Sequence, residues 1–207
     1  MARVSPADVV NVPPPVEPGG DGRSGGGAAR RAGITGIVVA CASIVMLFAA
    51  LTSAMIVRRG LGGDWQSLGV PGILWLNTAV LLASSVMIER ARRALRLGRR
   101  ESFNYLWLAG TALGLLFLAG QYASWRQLAA AGIYLATNPS SSFFYLFTVA
   151  HALHLGGGLL ALLYIAVCAW RLRLGPGRRT AVDVAALYWH FMDGLWIYLL
   201  LLFRFWG

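Results

Sequence analysis

From Gly33 to Val57 the chain runs without a single charged residue. A segment of that length, beyond the ~20 apolar residues that span a bilayer, belongs in hydrocarbon, and there it must be helical so that every backbone N–H and C=O finds an internal partner. Four more segments of the same kind follow. With the first taken as 34–57, the others lie at about 71–90, 103–125, 141–170 and 182–206. The predicted fold is therefore an all-α membrane protein of five transmembrane helices. A mean hydropathy of +0.63, with 57% hydrophobic and 13% charged residues, lies outside the range of water-facing domains. The second span opens after Val70-Pro71, where proline suits a first helical turn. The fourth is longer than a bilayer requires and should tilt or protrude. Between the third and fourth, residues 127–136 read as a short interfacial helix, closed by the turn and helix-start signal Thr137-Asn138-Pro139-Ser140.

The basic residues are eighteen arginines and no lysine. Fourteen fall before the first span, between spans two and three, and between spans four and five; only Arg58, Arg59, Arg126 and Arg204 fall on the other side. Because positive residues accumulate on the cytoplasmic side, this alternation places the N-terminus in the cytoplasm and the C-terminus outside, and it fits five spans rather than four or six. The net charge of +10 does not indicate nucleic acid, since the arginines sit between apolar runs and form no basic face with interleaved stacking aromatics. Residues 1–33, rich in Pro, Gly, Arg and Ala, cannot bury a core and read as a disordered cytoplasmic tail. The tail holds no apolar stretch with a small-residue cleavage site, so no cleaved signal peptide is expected. Cys41 and Cys168 stand apart in separate spans, outside any metal or redox spacing.

The chemistry-bearing residues are few and lie at membrane depth, where an ionisable group needs a partner or a reason. The densest group is Tyr188-Trp189-His190-Phe191-Met192-Asp193-Gly194-Leu195-Trp196. His190 and Asp193, three residues apart, share a helix face and are expected to satisfy each other. Trp189, Asp193 and Trp196 form one stripe that should point at protein. A proton wire would need several groups in series, and Glu89 and Glu101 lie at the span edges, so a structural pair is the favoured reading. His151 and His154 share a face beside Gly156-Gly157-Gly158. Three imidazoles are too few for a haem-copper centre, and zinc would want further Cys or carboxylate ligands. These histidines read as neutral rings bonded to backbone, a neighbouring helix or lipid headgroups, with the glycines admitting another helix or an acyl chain. Asn77, Gln121, Ser84 and Ser85 read as interhelical hydrogen-bonding groups. No nucleophile stands beside a base, so the chain carries no catalytic residue and no metal site.

Several stretches in this order carry a family resemblance over about residues 33–207. They are Met46-Leu47-Phe48-Ala49-Ala50-Leu51-Thr52-Ser53, Leu76-Asn77-Thr78-Ala79-Val80-Leu81-Leu82-Ala83-Ser84-Ser85, Ser142-Phe143-Phe144-Tyr145 with His151-Ala152-Leu153-His154-Leu155, and Tyr188-Trp189-His190-Phe191-Met192-Asp193. The chain resembles subunit III of the haem-copper cytochrome c oxidases in their five-span bacterial form. The resemblance implies an accessory subunit in the bacterial plasma membrane that packs on the catalytic subunit I, holds phospholipid, and supports proton uptake and turnover stability without a redox centre of its own. Haem and copper are then expected in partner subunits, with subunit II and a cytochrome c or quinol donor reached through the complex. Trp75, Asn77, Gln121, His151, His154, Trp189, His190 and Asp193 become candidates for lipid or inter-subunit contact.

Two positions depart from the family pattern. Many members carry a glutamate in the first span where this chain has Ile44, and another near Ser124 at the end of the third, where this chain reads Gln121-Tyr122-Ala123-Ser124-Trp125. Proton handling tied to those acids does not carry over, which favours a scaffold and lipid holder. Subunit III-like partners of quinol oxidases and nitric oxide reductases would share these physics. A small transporter is the alternative of another class, although no internal repeat or matched pair of broken helices appears. A membrane enzyme or di-haem cytochrome using His151, His154 and His190 is the third.

Overall fold

A computed structural model describes residues 24–63, 65, 72–171 and 178–206. The described residues form five helices: α1 (Ser24–Leu61), α2 (Ile73–Arg96), α3 (Arg100–Ala130), α4 (Pro139–Trp170) and α5 (Arg178–Trp206). All five are long and apolar enough to cross a membrane. The chain is a multi-pass membrane protein.

Two boundaries differ from the sequence expectations, and a third agrees. α1 begins at Ser24, inside the stretch read as a disordered tail, because the apolar run nucleates a helix that then propagates back through Ala28-Ala29-Arg30-Arg31-Ala32, all good helix formers but for the cost of ordering. The remainder of the expected tail, residues 1–23, lies outside the described residues. The separate interfacial helix expected over 127–136 does not form. Instead α3 continues to Ala130 and stops at Gly132, whose φ of 78° is open to glycine at no steric cost. α4 starts where the sequence signals it: Asn138 caps the helix through the Ser141 N–H at 2.8 Å, Ser141 returns the bond, and Pro139 fills the first turn.

The helices are not packed equally. α2 lies along α3, and α3 lies on α4, while α5 touches α1, α2 and α4. α1 contacts only α4 and α5 among the described helices. Close approach comes from small residues and from hydrogen bonds, as expected where lipid offers apolar surface as readily as protein does. A Cβ at Gly110 would fall 2.8 Å from the Ile88 side chain, at Gly114 2.7 Å from the Trp189 ring, and at Gly158 2.9 Å from the Tyr188 ring. Interhelical bonds fix the register. Ser84 donates to the Gly110 carbonyl at 2.7 Å, Trp107 Nε1 to the Leu162 carbonyl at 3.0 Å, and Trp125 Nε1 to Thr148 Oγ1 at 3.1 Å.

Candidate functional site

The polar residues singled out from sequence separate into two places, one on each side of α5. Towards α4, His151 is fully buried, its ring 5.2 Å from that of Trp196 and 6.4 Å from that of Phe117. Neither ring nitrogen has a hydrogen-bond partner among the described residues, and the same holds for the buried Gln121 amide. Gln121 was expected to bond across helices; here the α3–α4 register is set by Trp125 on one side of it and by the Phe117 contact on the other. His154 follows its backbone expectation, with Nδ1 2.7 Å from the Ala150 carbonyl oxygen. The Tyr188 hydroxyl donates to the His154 carbonyl at 3.0 Å and ties α5 to α4. Trp189 is buried against the Gly114 backbone, where an added side chain would displace its ring, and it lies in ordinary contact with Gly158.

Towards α2, Asn77 donates to the Phe117 carbonyl at 3.1 Å, an interhelical bond as the sequence anticipates. Trp196 Nε1 donates to Thr78 Oγ1 at 2.9 Å, and Thr78 Oγ1 donates to the Leu74 carbonyl at 2.7 Å. Trp75 points outward, half exposed. The stripe Trp189, Asp193, Trp196 is buried as expected of a protein-facing surface.

The expected His190–Asp193 pair is not closed. His190 Nδ1 lies 3.9 Å from Asp193 Oδ2, beyond hydrogen-bond range, and is bonded instead to Ser85 Oγ at 2.6 Å. The reason is tertiary: α2 packs its Ser85 face against α5, and an interhelical hydroxyl at the right distance outcompetes a carboxylate on the same helix whose i, i+3 geometry leaves the groups staggered. The same packing brings Glu89 Oε2 to 3.7 Å from His190 Nε2. Glu89 also accepts bonds from Arg92 Nε and Arg93 Nε, both at 2.8 Å, and Asp183 lies 3.1 Å from Arg96 and 3.5 Å from Arg92. Sequence reading placed Glu89 at a span edge and passed over Asp183. The available signal was Asp183 five residues into α5 opposite an arginine-rich gap, but nothing in the sequence said that α2 and α5 would be neighbours.

Between α1, α4 and α5 an apolar groove of about 390 Å³ opens to the outside, lined by Ile37, Gly157, Gly158, Ala161, Val184 and Tyr188 among others. Two of the three glycines beside the histidines therefore form a wall of this groove, and Gly158 also admits the Tyr188 ring. No three His, Cys, Asp or Glu side chains converge as a metal site among the described residues.

The family of cytochrome c oxidase subunit III matches residues 28–207. The chain belongs to that family. A cytochrome c oxidase subunit 3 from Synechocystis sp. is 33% identical over 176 residues, covering 81% of this chain and 72% of that protein. A probable cytochrome c oxidase subunit 3 from Mycobacterium tuberculosis is 32% identical over 170 residues, 78% of this chain and 82% of the relative. A cytochrome c oxidase subunit 3 from Gallus gallus is 30% identical over 155 residues, 71% of this chain and 57% of the relative. With its five spans and bacterial relatives, the chain is a multi-pass plasma-membrane protein of the respiratory oxidases.

Against the family pattern, the two departures acquire structural content. Ile44 is buried in the same core as Phe48. Ser124 is fully buried and donates to the Gly120 carbonyl of its own helix at 2.9 Å. Ile44 is thus a closed apolar site, and Ser124 is satisfied within its own helix.

Proposed function

We propose that this chain is the accessory subunit III of a haem-copper cytochrome c oxidase, packing on the catalytic subunit I, holding phospholipid, and supporting proton uptake and turnover stability. Its N-terminus lies on the cytoplasmic side, since the arginine-rich gaps and the Glu89–Asp183 cluster with its arginines collect at that end of the bundle. The chain itself contributes no redox centre. Haem and copper belong to partner subunits, and the reduction of dioxygen takes place there.

The observation that carries this reading is the pairing of family membership with an uneven bundle. Among the described helices α1 is joined to the rest through α4 and α5 alone and leaves most of its surface uncovered, which is what a helix looks like when lipid or another subunit forms its remaining environment. The groove beside Gly157 and Gly158 is apolar, open and of a size to take part of an acyl chain, and the arginines at that end of the helices suit a phosphate headgroup. A quinol oxidase or a nitric oxide reductase would offer a subunit III the same surroundings, and only the partner would differ.

Purification in mild detergent on a tag fused to this chain tests the reading, with mass spectrometry of companions and an absorption spectrum. A large multi-histidine subunit recovered with haem absorbance is the expected result, and the companion subunits name the electron donor. A colourless chain recovered alone in several detergents would overturn it.

A further inference from the structure

The contact between α2 and α5 sets polar groups in a file that runs inward from the arginine-rich end. At its mouth stand Asp183 and Glu89 with Arg92, Arg93 and Arg96. Next comes His190, with Nε2 3.7 Å from Glu89 Oε2 and Nδ1 bonded to Ser85 Oγ. Asp193 is last, with Oδ2 3.9 Å from His190 Nδ1. Side-chain exposure is 24% at Glu89 and 33% at His190, then drops to 5% at Asp193.

Three buried atoms in this file have no hydrogen-bond partner among the described residues: both Asp193 oxygens and His190 Nε2. An uncompensated carboxylate at membrane depth is costly by several kcal/mol, and so is an orphaned imidazole nitrogen. One added proton relieves both when it binds His190 Nε2, where it supplies a donor facing Glu89, and the Nδ1 proton it displaces moves to Asp193 and removes the charge there. The geometry therefore suits a group of sites that gains and loses a proton better than it suits a permanent ion pair, which would close the 3.9 Å gap.

Resting on the oxidase-subunit reading above for what draws on the proton, we propose that Glu89, His190 and Asp193, with the Ser85 hydroxyl beside them, form a proton-exchange file loaded from the arginine-rich face, in which Asp193 stores the proton. Hydronium at the mouth gives a proton to the Glu89 carboxylate and is left as water; bonded to Arg92 and Arg93, Glu89 carries that proton only in passing. Glu89 passes it to Nε2 of the neutral His190 ring and returns to carboxylate. The proton on Nδ1 leaves for Asp193 Oδ2 through the Ser85 hydroxyl, which gives up its own hydrogen as it accepts the next. One proton enters and one rests on Asp193; the ring is left in its other tautomer, and the reverse passage resets it. No electrons move. Other titratable groups on the helices packed against α5 lie away from the file. In α4, His151 lies against Phe117 and Trp196, and His154 bonds the Ala150 carbonyl, while Tyr188 of α5 bonds the His154 carbonyl. In α1, Cys41 sits on the Tyr188 side, Arg31 belongs to the arginine-rich end, and Arg58 and Arg59 lie at the opposite end, where Arg59 donates to the Trp206 carbonyl.

Time-resolved infrared spectroscopy after a pH jump, on the complex purified through the tag, tests the file in the carbonyl-stretch region of protonated carboxyls. The expected result is a band that Asp193→Asn abolishes and whose appearance Glu89→Gln slows on the order of a hundredfold, the usual worth of a positioned proton donor. His190→Gln should slow it comparably. A band that persists in the Asp193→Asn complex overturns the proposal, as does a loading rate unchanged in Glu89→Gln. If the Asp193→Asn complex fails to assemble, the Glu89→Gln rate decides alone, because Glu89 lies at the mouth and its replacement leaves the core intact. A coloured complex without the band sinks the file and leaves the oxidase reading standing. A colourless chain that still shows the band does the opposite.

Discussion

α1 and α5 are both long apolar helices, yet they stand at opposite extremes of burial. α1 is the more apolar of the two, and Ile44, Phe48 and Met55 are the only residues it buries among those described. α5 is less apolar, carries Asp183, His190 and Asp193, and buries more than half of its spanning window against three other helices. In water the more apolar helix would be the core. In a bilayer the relation inverts, because lipid accepts apolar surface as well as protein does, and what draws a helix inward is shape and unsatisfied polar groups.

The comparison breaks most visibly at glycines. Gly114→Leu drives a side chain into the Trp189 ring and should cost about 3 kcal/mol of helix-bundle stability, within the range seen for overpacked cores. Gly36→Leu on α1, where an added Cβ meets nothing within 4 Å, should leave stability unchanged or raise it by up to about 1 kcal/mol through helix propensity. Unfolding by SDS titration in mixed micelles measures both, and equal losses at the two glycines would refute the contrast between α1 and α5.

Next in size is the buried indole bond between α2 and α5. Thr78→Val leaves the buried Trp196 N–H without its acceptor and should destabilise by about 1 kcal/mol, typical of an interhelical bond in membranes. The same titration reads it, and no change would mean that Trp196 finds another acceptor. A smaller effect is expected at the arginine-rich end. Arg96→Gln removes the partner 3.1 Å from Asp183 and should cost about 0.5 kcal/mol or less, vanishing in high salt because the pair is largely exposed.

The smallest change sharpens the comparison rather than testing its magnitude. Met46→Leu, on the exposed side of α1, should alter the stability of the isolated chain by less than about 0.5 kcal/mol. Met46→Trp should do likewise in isolation, and the yield of the purified complex then separates two surroundings. An undiminished yield marks this face as lipid-covered, whereas a loss confined to the complex marks it as a subunit contact.

Much of the molecule was legible before any coordinates. The charge-free run from Gly33 to Val57 and its four successors give five spans; Asn138-Pro139 gives the start of α4; and the stripe Trp189, Asp193, Trp196 gives the buried face of α5. What misled was the assumption that polar residues near in sequence are partners. His190 and Asp193 are three apart, but His190 bonds Ser85, 105 residues away. Gln121 looked like a bridging amide and has no partner among the described residues. The apparent tail hid the start of α1, because composition reports whether a segment can bury a core and says little about a helix that extends from one already formed.

The sequence by itself determined insertion, span number and the arginine asymmetry, because transfer from water to hydrocarbon depends on each segment's own composition. Only the tertiary structure decided which helices touch, and with that the placing of Glu89 and Ser85 beside His190 and the opening of a groove at Gly157 and Gly158. Once every helix is in the membrane, hydrophobicity no longer distinguishes neighbours. Contacts the width of a missing Cβ, and single hydrogen bonds between helices, then select one arrangement of five otherwise interchangeable rods.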